Sequence, residues 1–520
     1  MRKIYILRIY IIIENIYWKG KKMKQLHELQ NGTDVRGVAY KDENSNLDIT
    51  LSEVEVRLIA KGFATWLTDK LKKKNIKIAI GMDSRITGPT FRKACREELV
   101  SVGVDVLDCS LATTPAMFMS TIMDGYNCDG AIMFTASHMP YIYNGMKMFT
   151  KNGCLEKADL KEVLDISMSG NFISSENRGD VVEKNLIEDY SEVLVDKIRK
   201  GVSSEENYDK PLLGMKIVVD AGNGSGGFFA EKVLGELGAN TEASQFLDPD
   251  GMFPNHIPNP ENKEAMKSIS EATVKNKADL GIIFDTDVDR AAIVSSEGQA
   301  INKNALIAVI SKIILEEKPG STIVTDSVTS NGLAEFIEKN GGIHHRFKRG
   351  YKNVINESIR LNDEGIESSL AIETSGHAAL KENYFLDDGA YLVSKILVKA
   401  AKLHSEGKNI ADSISDLKEA HEGAEYRIKI NKDEFKSYAN NIIEDLKEFA
   451  NKVDSWTEVE KNYEGVRFNC NGENEKGWFL LRVSLHEPLL VLNIESDIEG
   501  GCENIYSILK DFLSKYELSL

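Results

Sequence analysis

Short apolar runs recur along the chain, and three of them empty into loops dense in functional side chains. Ala131-Ile-Met-Phe134 stops at Thr135-Ala-Ser-His-Met-Pro140. Ala278-Asp-Leu-Gly-Ile-Ile-Phe284 leads into Asp285-Thr-Asp-Val-Asp-Arg290, and Ser368-Ser-Leu-Ala-Ile372 into Glu373-Thr-Ser-Gly-His377. An apolar run without polar alternation is what a strand of a parallel sheet presents, because both of its faces are covered. Pro140 cannot continue a ladder, so the first strand is over by that point. Each run has an earlier companion that ends near an aspartate. These are Lys77-Ile-Ala-Ile80 before Asp83, Lys216-Ile-Val-Val219 before Asp220, and Thr322-Ile-Val-Thr325 before Asp326. The pattern predicts one α/β unit used three times, with three loops converging on a site at the carboxyl ends of the strands.

Between the strands the period becomes helical. A helix is expected from Leu51 to Leu71, and Leu186, Tyr190, Val193, Leu194 and Ile198 predict the apolar stripe of another from 186 to about 200. Residues 201–211 are polar and end in Pro211, the composition of a linker, and Lys318-Pro-Gly320 marks a second boundary. From about Glu422 strands and helices alternate on a smaller scale. The expected fold class is therefore α/β, three similar α/β mixed-sheet domains plus a smaller C-terminal α+β domain. The divisions are 23–205, 206–318, 319–421 and 422–520. Residues 1–22 read as an N-terminal extension outside the fold, upstream of a start at Met23. Their longest uninterrupted apolar run, Ile9 to Ile13, is too short for a signal-peptide core or a membrane span.

A length of 520 residues agrees with several domains. At 42% hydrophobic and 28% charged the composition is that of a globular protein, and a formal net charge of −17 argues against a nucleic-acid or anionic-membrane partner. Six cysteines at irregular spacing, with no C-x-x-C, read as reduced and mostly buried thiols in a cytoplasmic protein.

Asp285, Asp287 and Asp289 are the most constraining residues. Two like charges about 4 Å apart repel by about 4 kcal/mol at an effective dielectric near 20, so three on one short loop call for a divalent cation. An all-oxygen ligand set suits Mg²⁺. An EF-hand is excluded, because its sixth and twelfth positions would be Arg290 and Ser296. Ile283-Phe-Asp-Thr-Asp-Val288 also fits a haloacid-dehalogenase-type phosphatase with Asp285 as nucleophile, and that alternative stands beside the metal reading. Gly222, Gly224 and Gly227 satisfy G-x-G-x-x-G after a strand, with Glu242 about 20 positions on, so a dinucleotide loop is a further, weaker reading. His344 to Lys352 is a run of cations of the kind that usually forms a solvated face. Asp83 and Arg85, in Gly81-Met-Asp-Ser-Arg-Ile-Thr-Gly88, read as scaffold, and Phe253-Pro-Asn-His-Ile-Pro-Asn-Pro260 as a rigid structural turn. The adjacency of Ser137 and His138 disfavours a protease-like serine–histidine pair.

Taken in order, Thr135–Pro140, Asp285–Arg290, Glu373–His377 and a fourth stretch around Arg482 resemble the signatures of the α-D-phosphohexomutases, the phosphoglucomutase/phosphomannomutase family. The likeness runs from Gly32 to about Ser496. It implies domains arranged around a central cleft and a mutase that interconverts hexose 1-phosphate and hexose 6-phosphate, of glucose or mannose. The route would use a phosphoserine at Ser137 and a hexose 1,6-bisphosphate intermediate, which also serves as activator. It implies one Mg²⁺ held by Asp285, Asp287, Asp289 and the Ser137 phosphoryl group. Lys147, His138, Arg36 and Arg290 would serve catalysis. Gly350, Tyr351, Glu373, Ser375, His377, Arg482, Ser484 and His486 would bind substrate. Many relatives carry histidine where this chain has Tyr351, and glycine and threonine where it has Leu485 and His486. The partners expected are a sugar phosphate and, at most, a second copy of the chain: monomer or homodimer, no nucleic acid, no membrane.

Since the motif-bearing chain begins at Gly32, deleting residues 1–22 is expected to leave turnover and melting temperature nearly unchanged. Thermal melts and steady-state assays on the truncated protein check this, and failure of the shortened chain to fold would contradict it.

Overall fold

The computed structural model describes residues 26–43, 45–432, 434–484 and 487–519. The extension 1–22 and His486 therefore lie outside the described residues. The chain forms two compact units. One runs to Ala300 and includes Asp388–Ser394; the other holds Ile301–Asp387 and the chain from Lys395 onward.

The repeat expected from the apolar runs is present as a common strand arrangement. In the first unit the companion strand Lys77–Met82 lies parallel to the serine strand Gly130–Phe134, with Ile80 opposite Ile132. The serine strand is followed by an antiparallel return, Tyr143–Thr150, which sets Lys147 opposite Met133. That return pairs in turn with Asp34–Val38, Arg36 facing Gly145. A second sheet in the same unit repeats the core of this pattern. Ile217–Asp220 is parallel to the aspartate strand Leu280–Phe284, whose antiparallel return is Ala291–Ser295. In the second unit Thr322–Thr325 is parallel to Ser368–Ile372, and Ala378–Leu380 returns antiparallel. All three loop strands are buried along their whole length, the physical reason their sequences show no alternation. Each sheet is mixed because the parallel pair is extended by a hairpin.

The remaining sheet, also in the second unit, is antiparallel and six-stranded. Gly477–Val483 lies inside it, paired on both sides. Helices Phe435–Ala450 and Gly501–Leu513 contribute Ile442, Leu446, Ile505 and Leu509 to the core beneath it. This is the α+β domain expected from Glu422 onward.

Helix Glu53–Leu71 starts two residues later than its apolar pattern suggested, because Ser52 and Glu55 form a reciprocal capping box. Its Val56, Ile59, Ala60 and Phe63 share a core with Ile78, Ile80, Ile132 and Phe134 of the sheet. The stripe assigned to helix Leu186–Val202 needs correction. Val193 is 36% exposed, while Ile187 and Val195 join Leu186, Tyr190, Leu194 and Ile198 on the buried face. All six cysteines are free thiols, and Cys154 alone of them is not fully buried. Among the described residues no helix is long and apolar enough to cross a membrane.

The dinucleotide reading of the glycine-rich loop fails on sterics. A Cβ at Gly224 would lie 2.7 Å from Thr286 O, and one at Gly227 would lie 2.2 Å from Leu247 O. These glycines admit neighbouring backbone, including that of the aspartate loop, so no pyrophosphate reaches them. Gly224→Ala should accordingly destabilise the protein by about 1–3 kcal/mol through overpacking. Gly235→Ala, whose Cβ would sit 3.5 Å from Ala230 O, is the control and should not destabilise it. Denaturant unfolding of both variants checks the contrast.

Candidate active site

Ser137 sits just past the serine strand with φ +50°, a left-handed conformation that a side chain other than glycine rarely adopts. Its amide donates to Thr135 Oγ1 at 2.8 Å, closing the loop locally. The residue is 4% exposed, and its hydroxyl donates to Asp285 Oδ2 at 3.1 Å. Arg290 Nη2 donates to the same hydroxyl oxygen at 3.5 Å. His138 Nδ1 stands 3.3 Å from it, so the adjacent side chains touch, although the hydroxyl donates to Asp285.

The aspartate loop faces this hydroxyl. Asp285, Asp287 and Asp289 each offer a buried carboxylate oxygen, all within 4.8 Å of one another, a group able to hold a metal ion. Burial, then the neighbouring Asp289, push the Asp285 carboxyl well above its ordinary range, against the pull of Arg290. Arg290 Nε reaches Asp285 Oδ2 at 3.1 Å, and its Nη1 reaches Asn259 Oδ1 at 3.3 Å and Glu261 Oε2 at 3.5 Å. Lys147 Nζ donates to Asp287 Oδ2 at 3.1 Å and to Asp289 Oδ2. Although burial opposes its charge, Asp287 and Asp289 raise the ammonium well above its ordinary pKa. Arg36 pairs with Asp34 at 2.8 Å; burial opposes its charge too, but Asp34, Asp287 and Asp289 together raise its pKa.

The residues present fit a hard divalent cation. All the donors are carboxylate oxygens, and Asp287 Oδ1 is buried with no hydrogen-bond partner among the described residues. A buried acceptor left so is costly, and a bound cation satisfies it.

In the second unit the residues of the third loop also come together. Gly350 N donates to Glu373 Oε1 at 2.6 Å, and Ser375 Oγ lies 2.9 Å from His377 Nδ1. Tyr351 stacks on the His377 ring at 5.3 Å between centroids. Arg482, on the strand Gly477–Val483, is 6% exposed, and its Nε has no hydrogen-bond partner among the described residues. Ser484 Oγ accepts from Glu487 N at 3.3 Å.

Several residues escaped the sequence reading. Thr114 donates its hydroxyl to Asp287 Oδ2, and its amide donates to Asp287 O at 2.9 Å. A separation of 173 positions hides that contact from any local pattern. Asp34, Asn259 and Glu261 hold the two arginines. The cation run from His344 is only in part a solvated face: Lys348 is exposed, but Arg346 donates inward to Thr329 and to Ser330 O. Within it Arg349 lies 3.9 Å from buried Asp326 and close enough to Arg482 to depress its pKa, after burial and against the pull of Glu464.

Three family models match the chain in order. They are phosphoglucomutase/phosphomannomutase alpha/beta/alpha domain I over residues 27–172, domain II over 192–298 and domain III over 302–420. A phosphoglucomutase of Neisseria meningitidis is 29% identical over 479 residues, which cover 92% of this chain and 95% of that protein. A phosphomannomutase/phosphoglucomutase of Pseudomonas aeruginosa is 29% identical over 447 residues, 85% of this chain and 88% of that protein. The crystal structure of a phosphoglucomutase/phosphomannomutase family protein from Burkholderia thailandensis matches with a TM-score of 0.75 at 25% identity, over 93% of this chain and 96% of that one. These matches are to hexose phosphate mutases and set aside the haloacid-dehalogenase alternative. With the serine, aspartate and glutamate loops each at the end of a repeated parallel strand, and all three domain models matched in sequence order, the chain belongs to the α-D-phosphohexomutase family.

Proposed function

We propose that the protein is a phosphohexomutase that interconverts hexose 1-phosphate and hexose 6-phosphate of glucose, mannose or both. The observation that carries this reading is a single buried hydroxyl, Ser137 Oγ, held between Asp285 and Arg290 beside three carboxylates. In the phosphorylated enzyme the P–O bond to Ser137 Oγ breaks as a new one forms to the free hydroxyl of the sugar monophosphate, whose proton passes to a base. The product, a hexose 1,6-bisphosphate, then reorients and returns its other phosphoryl group to Ser137. Ser137 thus regains its phosphate, and the monophosphate leaves as the isomer. Arg290 and Lys147 offset the charge on the moving phosphoryl group. His138 and Arg36 assist proton transfer and charge balance there.

Asp285, Asp287 and Asp289, with a phosphoryl oxygen on Ser137, would hold one Mg²⁺, which supplies charge neutralisation at the phosphoryl group. Glu373 and Ser375, with His377, Gly350 and Tyr351, are assigned to the sugar hydroxyls. Arg482 and Ser484, with His486, are assigned to the phosphate that is not reacting, and the buried Nε of Arg482 supports that role. The domain limits that go with this reading are 23–205, 206–318, 319–421 and 422–520.

Ser137→Ala is expected to abolish turnover of glucose 1-phosphate and mannose 1-phosphate while the melting temperature stays close to that of the unaltered protein. Coupled assays with both sugars test the reading and separate the two substrates; turnover unchanged by the substitution would refute it. Intact-protein mass spectrometry should also find a fraction one phosphoryl group heavier, mapping to the peptide around Ser137.

Arg482→Ala should weaken substrate binding without preventing phosphorylation of Ser137. Loss of a bidentate charge-assisted contact costs roughly 1.5–3 kcal/mol, so KM should rise about tenfold or more. Because the bisphosphate would use this clamp in both orientations, forward and reverse reactions should suffer alike. Unaltered KM in both directions would place the clamp elsewhere.

A further inference from the structure

Behind the serine loop lies a cation that touches none of the reacting groups. Arg85 is 1% exposed, and its guanidinium is inserted into the reversal between the serine strand and its antiparallel return. Nη2 donates to Ser137 O at 2.6 Å and to Met139 O at 2.6 Å. Nη1 donates to Pro140 O at 3.0 Å and to Tyr143 O at 2.7 Å. Four carbonyl oxygens of one loop therefore converge on the two terminal nitrogens of one side chain. Asp83 Oδ2 lies 3.3 Å from Nε, and Asp83 Oδ1 accepts the Arg85 amide at 2.9 Å. On another side the Phe253 ring sits 5.4 Å from the guanidinium carbon. The loop bearing Phe253 packs so closely that a Cβ on Gly251 would fall 2.5 Å from both Ser84 O and Ile86 N.

Convergent carbonyl dipoles repel one another unless donors lie between them, and a planar guanidinium presents two N–H bonds on each terminal nitrogen in a fixed fork. An ammonium has the charge but not the four coplanar donors. The need for such a device is local. Ser137 holds φ +50°, a conformation that persists in a non-glycine residue only when its surroundings over-determine it. The clamp grips the carbonyl of Ser137 itself and those of the residues that follow.

From this geometry we propose that Arg85 is a positioning residue for phosphoryl transfer: its four-carbonyl clamp holds the Ser137 peptide in the left-handed conformation that directs Oγ at Asp285 and Arg290. The inference rests on the mutase reading of Ser137 and adds a residue to it. Asp83 and Phe253 then serve to hold the clamp, which gives the Phe253–Pro260 turn a part in the site.

Arg85→Lys keeps the charge and removes the fork. It should lower kcat by about 100-fold, the scale expected for a reacting group displaced by about 1 Å, with KM for hexose 1-phosphate changed less than about twofold. Amide hydrogen exchange in residues 137–143 should accelerate, while exchange in the core strand Gly130–Phe134 should not. In Arg85→Ala, methylguanidinium should restore turnover and methylammonium should not, with the melting temperature the same in either additive, which a merely structural role would not produce. Wild-type kcat in Arg85→Lys, or a loss that only tracks a smaller folded fraction, would overturn the assignment. Should the unaltered protein turn over no hexose phosphate, the mutase reading fails instead. Exchange in residues 137–143 then decides the clamp alone, and an unchanged rate in Arg85→Lys overturns it.

Discussion

Three carboxylates buried at the end of one strand cannot remain together without cations, and the first unit is arranged to meet that demand. Lys147 arrives from the return strand of the serine sheet, Arg290 from the aspartate loop itself, and Arg36 from the strand beside the return. Thr114 adds a hydroxyl from the start of a short helix. Lys147 and Arg36 come from the serine sheet and the carboxylates from the other, so the charge balance is also a connection between the two sheets. A buried ion cluster of this sort contributes little net stability, because desolvation offsets the attraction. Ser137 Oγ lies 3.1 Å from Asp285 Oδ2 at the edge of this cluster.

The same arrangement explains why one strand pattern is used three times. A parallel strand delivers its loop at the carboxyl end of the sheet, where side chains converge, and an antiparallel return can place a second functional residue opposite the first strand. Lys147, opposite Met133 on the return from the serine strand, occupies such a place. In the second unit the third loop carries Glu373, Ser375 and His377, and its polar atoms bind one another and Gly350. Close backbone approach limits what else these loops can hold. Gly224 and Gly251 each face a neighbouring main chain at distances no Cβ tolerates.

Burial inverts the usual meaning of a charge in this protein. A run of cations such as that from His344 usually forms a solvated face, yet Arg346 is pushed down to about 10 by burial, and its donors go to backbone and side-chain oxygens of residues 329–331. Arg85 follows the same rule with four carbonyls. In both cases the guanidinium organises a loop, and the fixed fork of donors is the property used.

By itself the sequence determined the strands, the order of the loops and the identity of the chemical groups. Those features are written locally: a doubly covered strand must be apolar throughout, and Asp285, Asp287 and Asp289 are already a cluster within five residues. It also determined the helix Glu53–Leu71, apart from the two residues that the Ser52 cap removed. Tertiary structure alone decided what lies beyond one element. Val193 and Val195 are chemically alike, and the packing around the helix, not their hydrophobicity, chose which faces solvent. The glycines at 222, 224 and 227 match a phosphate loop in spacing, yet 224 and 227 admit neighbouring backbone and 222 sits in a left-handed turn against Pro258. Thr114 meets Asp287, and Arg85 meets Ser137 and Tyr143, across separations that no periodicity encodes. These pairings exist only once strands of different sequence position lie side by side, and their energy depends on burial that a linear chain does not possess.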